Sequence, residues 1–203
     1  SLLPSLAAIA LLAIGPSCGK KADQAADASK STVQTSKITI GVSLLTRTHP
    51  FYQDLEKGLL ETATANGYEL LVTAGEFDVA RQKDQVADFI VRKVNAIILA
   101  PCDSRSIGTA VKAANDAGIP VFTADIACLA EGVQIVSHVA SDNLAGGHVA
   151  AQALAQAIGH SGKVAIIDHP EVESGIARVK GFEDELAANF KDVVVVAKLS
   201  GHG

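Results

Sequence analysis

The sequence predicts an α/β protein made of two doubly wound parallel-sheet lobes, with the second lobe incomplete. Three observations predict it. Short apolar runs such as 38–44, 68–73 and 96–100 alternate with longer stretches of helical periodicity. The run 96–100 is apolar at every position, as strands are when a parallel sheet is covered on both faces. The strand-then-helix rhythm also restarts after about residue 140, which divides 37–140 from a partial second lobe over 141–203.

The elements follow in order. The first strand spans about 38–44, and a helix over about 51–66 places Leu55, Leu59, Leu60 and Ala63 on one face. Asn66-Gly67 ends that helix, as a glycine just past a helix does. After the strand 68–73 comes a helix over about 79–93 with Val86, Phe89, Ile90 and Val94 turned inward. The strand 96–100 leads to a helix over about 107–117, with Ser106 expected as its cap and Gly118 as its end. Strands over 120–124 and 133–140 follow, then a helix over about 144–158. A strand at 164–167, a helix over 174–189 and a strand at 193–198 complete the chain. The second lobe thus holds only two full units, too few for a stable sheet of this type.

Of 203 residues, 48% are apolar and 19% charged, which supports a folded core and excludes a disordered chain. A formal charge of -5 gives no footing for nucleic acid. There is no methionine, and the chain ends on Ser200-Gly-His-Gly, the opening of a loop, so it reads as a piece open at both ends.

Residues 2–14 are apolar, too short a run to span a bilayer but the length of the central region of a secretory signal. Gly15-Pro-Ser-Cys-Gly follows, then a polar stretch. Small residues ahead of a cysteine resemble a bacterial lipoprotein processing site, with Cys18 as the lipidated first residue. Pro16, and Gly15 where leucine is expected, depart from that pattern. Plain secretion and a short uncleaved anchor are the alternatives. One acyl chain holds a protein only marginally, so lasting attachment needs more than one. Residues 1–18 are therefore assigned to the signal and processing segment, and 19–36 to a polar tether.

Chemistry gathers at the strand ends. Thr46-Arg-Thr-His-Pro-Phe-Tyr sets a positive charge, an imidazole and two rings just after the first strand. Ligands of open α/β sheets bind outside the carboxyl ends of the strands. Val121-Phe-Thr-Ala-Asp makes a second such place, and the two together predict a cleft for a small polar molecule. Competing motifs are weak. Gly159-His-Ser-Gly-Lys lacks the first glycine of a phosphate loop and the hydroxyl residue after its lysine. No histidine pair has metal spacing, no nucleophilic set stands out, and no cofactor is expected. Cys102 and Cys128 follow successive strands; a disulfide at the rim and two free thiols are both open.

Five segments now fall into a pattern: Thr48-His-Pro-Phe-Tyr, Ala100-Pro-Cys-Asp-Ser, Ala113-Ala-Asn-Asp-Ala-Gly-Ile-Pro-Val, Ser137-His-Val-Ala-Ser-Asp-Asn-Leu-Ala-Gly-Gly and Arg178-Val-Lys-Gly-Phe. In this order and spacing they resemble the periplasmic sugar-binding proteins of the ribose-binding type, which feed ABC importers. The resemblance covers about 37–203. It implies the type I periplasmic binding fold, in which two α/β lobes joined by three crossovers grip a sugar. It implies no enzyme activity, and a chain that holds only the first crossing.

The resemblance also assigns roles. Phe51 and Tyr52 match the family's aromatic pair and are expected to stack on the sugar, or one ring fills the core. His49 stands where the family often has an asparagine that bonds hydroxyls; the alternative is a solvated loop histidine. Asp125 matches the aspartate that grips hydroxyls, or it caps a turn. The family's arginine after it is Ile126 here, which makes ribose itself doubtful. Arg178 matches the arginine reaching across from the second lobe, or it is a surface side chain. Asp142 and Asn143, at the crossover, either line the cleft or cap a helix. The implied partners are a sugar and a membrane permease. The implied location is extracytoplasmic, with membrane contact only through a lipid anchor and the protein a monomer. A sensory protein that presents its ligand to a receptor is the alternative. A sugar-responsive repressor would need a helix-turn-helix in front, and a dehydrogenase a Gly-rich loop after the first strand; neither is present.

Overall fold

Five parallel strands carry the first lobe: β1 (Thr39–Leu44), β2 (Glu69–Ala74), β3 (Ala96–Leu99), β4 (Val121–Ala124) and β5 (Ser137–Val139). They line up as β2-β1-β3-β4-β5. Val42 lies between Val72 and Ile98 in this register. Helices α1 (Pro50–Ala65), α2 (Val79–Val91) and α3 (Gly108–Asp116) connect the strands. The order reverses between β1 and β3, and the crevice outside the carboxyl ends there is the standard ligand position of such sheets. The computed structural model describes residues 37–201, so the signal, Cys18 and tether expectations lie outside the described residues.

Local chemistry sets the helix starts. Pro50 stands in the first turn of α1, where its fixed φ suits a helix and its missing N–H costs nothing. The Asp78 carboxylate accepts from the amides of Ala80 and Arg81 and starts α2. Ser106 does not cap α3. The chain already turns at Asp103, whose carboxylate takes the amides of Arg105 and Ser106 at 2.9 and 2.6 Å. Ser106 is thereby a donor inside that turn, and α3 begins two residues later. The predicted strand over 133–140 contracts to the three exposed residues of β5, an edge strand with pairing on one side only.

Apolar layers cover both sheet faces. Val86, Phe89, Ile97, Leu99, Ile107 and Val111 fill one, using residues of α2 and α3. Val42, Leu44, Leu45, Tyr52 and Ile126 fill the other, with Leu55 and Leu59 of α1.

The second lobe comprises α4 (Asn143–Ala157), β6 (Gly162–Asp168), α5 (Glu173–Asn189) and β7 (Val193–Ser200), with β6 and β7 parallel. Ala151, Ala155, Leu186 and Val193 form its core with Phe182 and Phe190. Ile167, Val194 and Val196 of the small sheet are exposed. The segment before α5 reaches the first lobe. Val172 is buried in the α1-side core, the Ser104 amide donates to Glu171 O at 2.9 Å, and the Glu173 amide donates to Ser104 Oγ at 2.8 Å. Cys102 and Cys128 are free thiols, and burial pushes Cys102 up to about 12. None of the described helices is long and apolar enough to cross a membrane.

Candidate ligand-binding cleft

The strand ends under the cleft are fastened by a buried polar network. Gln82 is fully buried; its Nε2 donates to Ala100 O at 3.0 Å and to Ser43 Oγ at 3.2 Å, while its Oε1 accepts the Cys102 amide at 2.8 Å. Ser43 donates onward to Gln85, whose amide donates to Ala74 O. The carboxyl ends of β1, β2 and β3 are thus tied by satisfied hydrogen bonds, which rigidify a site in a low-dielectric interior. Sequence reasoning missed Gln82 and Gln85, since a glutamine on a helix face carries no sign of burial.

A cleft of about 410 Å³ lies above this floor. That is the size of a small-molecule site. The first lobe lines it with Leu45, Thr46, His49, Phe51, Tyr52, Phe77, Asp125 and Ile126, and the second with His169, Val172, Ser174, Gly175 and Arg178. Five of the sequence-predicted residues, His49, Phe51, Tyr52, Asp125 and Arg178, come together here. Phe77 and His169 were not foreseen. Their rings approach from opposite lobes with centroids 6.1 Å apart.

Each of the five is positioned by its element. His49 Nδ1 accepts the Phe51 amide at 3.2 Å as the cap of α1. That use of Nδ1 places the proton of the neutral ring on Nε2, which remains a donor. Phe51 is half-exposed and meets Tyr52 edge-on at 5.2 Å. Tyr52 is only 5% exposed, packs in the α1-side core, and donates its hydroxyl to Asp125 Oδ2 at 2.6 Å. Of the two alternatives for the aromatic pair, the ring of Tyr52 lies in the core, and its hydroxyl is bonded to Asp125. Burial pushes its phenol well above the ordinary range, the bond to Asp125 adds to the rise, and the charge of Arg178 opposes it. Asp125 has a left-handed φ of 63°, and its amide donates to Val139 O at 2.8 Å. Arg178, on α5, is exposed and makes no ion pair among the described residues.

Three expected groups lie elsewhere. Arg47 does not face the cleft, because its guanidinium is paired with Glu56 of α1. The hydrogen bond between them raises the pKa of Arg47 and holds the Glu56 carboxyl below its ordinary value. Asp142 and Asn143 line a separate hollow with His138, Ser141 and Glu173. Asp142 caps α4 through the Ala145 amide at 2.9 Å. Asn143 is buried, and its Oδ1 has no partner among the described residues. None of the described residues forms a cluster suited to a metal ion.

An aromatic face, a carboxylate, an imidazole donor and a guanidinium converge on one gap, with an apolar wall at Ile126 and Val172.

The sequence and the fold are similar to those of known proteins. A model of the periplasmic binding protein domain matches residues 40–202. The ribose import binding protein RbsB of Bacillus subtilis strain 168 is 36% identical over 149 residues, 73% of this chain and 48% of its own length. An ABC transporter solute-binding protein of Agrobacterium vitis, solved with α-D-tagatopyranose, superposes with a TM-score of 0.77 at 31% identity, over 82% of this chain and 59% of that one. The Caulobacter myo-inositol binding protein, solved with myo-inositol, gives 0.75 at 27% identity over 82% and 56%. The chain spans about half the length of the curated relatives it matches. With its parallel sheets, two lobes and a cleft between them, this chain belongs to the periplasmic binding protein family and has its type I fold.

Proposed function

We propose that the full-length protein captures a monosaccharide or a similar neutral polyol between its lobes and delivers it to an ABC importer. The observation that carries the reading is the single cleft into which one lobe turns the Asp125 carboxylate and the other the Arg178 guanidinium. Sugars have apolar faces and a hydroxyl rim. Rings pack on the faces, and charged groups bind the rim through strong directional hydrogen bonds. Phe51 supplies a face; Asp125, His49 and Arg178 supply the rim. The relatives named for ribose import, and the neighbours solved with tagatose and inositol, support this ligand class. Ile126 at the rim favours a sugar other than ribose.

In this reading the protein works as a monomer without cofactor or turnover. It resides on the outer side of a bacterial membrane, anchored through Cys18, and its partner is a membrane permease. Ligand favours closure because groups of both lobes touch it only when they meet.

A thermal-shift screen of the full-length protein against monosaccharides tests the reading, since a ligand bound only by the native state raises its stability. At least one sugar should raise the melting temperature. Asp125→Ala should weaken its binding by about 2 kcal/mol, the scale of a hydrogen bond to a charged group. No response to any sugar, or unchanged calorimetric affinity in Asp125→Ala, would end the proposal.

A further inference from the structure

Tyr52 and Asp125 form a hydrogen-bonded pair in the lining of the cleft. A buried tyrosine hydroxyl needs a hydrogen-bond partner, and a backbone carbonyl would serve for packing alone. Tyr52 instead donates to a half-buried carboxylate that lines the cleft, at 2.6 Å. That length is typical of a charge-assisted O–H···O⁻ bond. Asp125 is held at both ends: its backbone, at a left-handed φ of 63°, by the hydrogen bond its amide donates to Val139 O, and its side chain by Tyr52. Aspartate tolerates that backbone region better than most residues. The consequence is directional. Oδ2 is engaged by the phenol, whereas Oδ1 takes no protein hydrogen bond among the described residues. The phenol has spent its proton on Asp125, so toward a ligand its oxygen is an acceptor.

We infer that Tyr52 is a positioning residue for recognition: by holding Oδ2 of Asp125 it presents Oδ1 and its own phenol oxygen as two adjacent acceptors to a ligand carrying two neighbouring hydroxyls. The inference rests on the sugar-binding reading and narrows its ligand to a neutral vicinal diol at this rim. At these two oxygens a ligand carboxylate or phosphate would meet acceptors only, and its proton donors would have to be His49 and Arg178 elsewhere in the cleft. The upward shift of the phenol pKa keeps Tyr52 protonated, and so a donor to Asp125, throughout the neutral range. Ile126 agrees with the same selection, since it adds an apolar wall and no donor.

The test is calorimetric, on the full-length protein, with D-ribose, D-allose, D-tagatose, D-arabinose and myo-inositol. The tightest of these is then compared with its monodeoxy analogues in wild type, Tyr52→Phe, Asp125→Asn and the double variant. Tyr52→Phe should weaken the parent sugar about tenfold, the scale of one hydrogen bond. One deoxy analogue should bind wild type and Tyr52→Phe alike, and Tyr52→Phe should cost less affinity in the Asp125→Asn background than in wild type. Unchanged affinity in Tyr52→Phe, or equal loss for the parent and every deoxy analogue, overturns the inference, the latter because it reports lost packing. Should Tyr52→Phe fail to fold, wild type still decides: a scan in which no two neighbouring hydroxyls both matter overturns it. A wild type that takes none of the five sugars overturns the sugar-binding reading, a different failure from wild-type binding that Tyr52→Phe leaves untouched.

Discussion

Ile126 determines what the rim of the cleft offers. It is 1% exposed, lies among Val42, Leu44, Leu45 and Tyr52, and still borders the cleft beside Asp125. The residue is therefore both wall and core, and a polar replacement does more than add a donor. In Ile126→Arg the stem displaces apolar packing and the head enters a site built for a methyl group. An unpaired buried charge costs about 3 kcal/mol or more. We expect Ile126→Arg in the full-length protein to melt well below wild type without sugar. We also expect saturating D-ribose to recover more of that loss in the variant than it adds to wild type, because ribose hydroxyls would satisfy the guanidinium. Melting curves with and without ribose check this. A variant as stable as wild type in the absence of sugar would mean that Ile126 is not packed as described.

At the scale of elements, the second lobe depends on how closely α4 meets α5. A Cβ on Gly147 would lie 2.1 Å from the Arg178 carbonyl oxygen, and one on Gly181 would lie 2.1 Å from that of Leu144. Both obstacles are backbone, so the helices themselves would have to part. Gly146, one residue earlier, has nothing within 4 Å of its Cβ position. Adjacent glycines should thus respond with opposite sign. Gly147→Ala should destabilise by about 2 kcal/mol through overpacking and, by moving α5, displace Arg178 and weaken sugar binding. Gly146→Ala should stabilise by about 0.5–1 kcal/mol through helix propensity. Urea melts of the two variants decide, and loss of stability in both would refute the close contact. The same contrast explains what was legible. Periodicity located α1, α2, α4 and α5 to within a residue or two, because burial on one face leaves a pattern in the chain. The motif around Gly147 was visible, but its reason was not, since the clash partner lies 31 residues away. Side-chain pairings, near and far in the chain, account for the other misses. Nothing near Arg47 reveals that Glu56 captures it, nothing near Tyr52 points to Asp125, and Ser106 looked like a cap although its amide is held in the turn at Asp103 and α3 starts without a side-chain cap.

For the whole molecule, what matters is the contact that joins the lobes. Val172 belongs to the second lobe yet is 4% exposed within the core of the first, and Ser104 exchanges two hydrogen bonds with the backbone at Glu171 and Glu173. Phe77 and His169 meet beside it. These contacts do not require a ligand. They stabilise the lobes-together state, and any free energy they contribute is free energy the sugar need not supply. Weakening them should lower sugar affinity while leaving the polar groups Asp125, His49 and Arg178 in place. In the full-length protein, Val172→Ala with Ser104→Ala removes buried apolar volume and one acceptor, for a combined effect of about 2 kcal/mol on closing. We expect sugar affinity to fall roughly thirtyfold, the equivalent of that free energy, and small-angle scattering of the ligand-free variant to show a larger radius of gyration than wild type. Saturating sugar should bring the two radii together, because the rim contacts remain. A variant with wild-type affinity and wild-type scattering would show that the contact forms only as a consequence of closure and contributes nothing to its equilibrium.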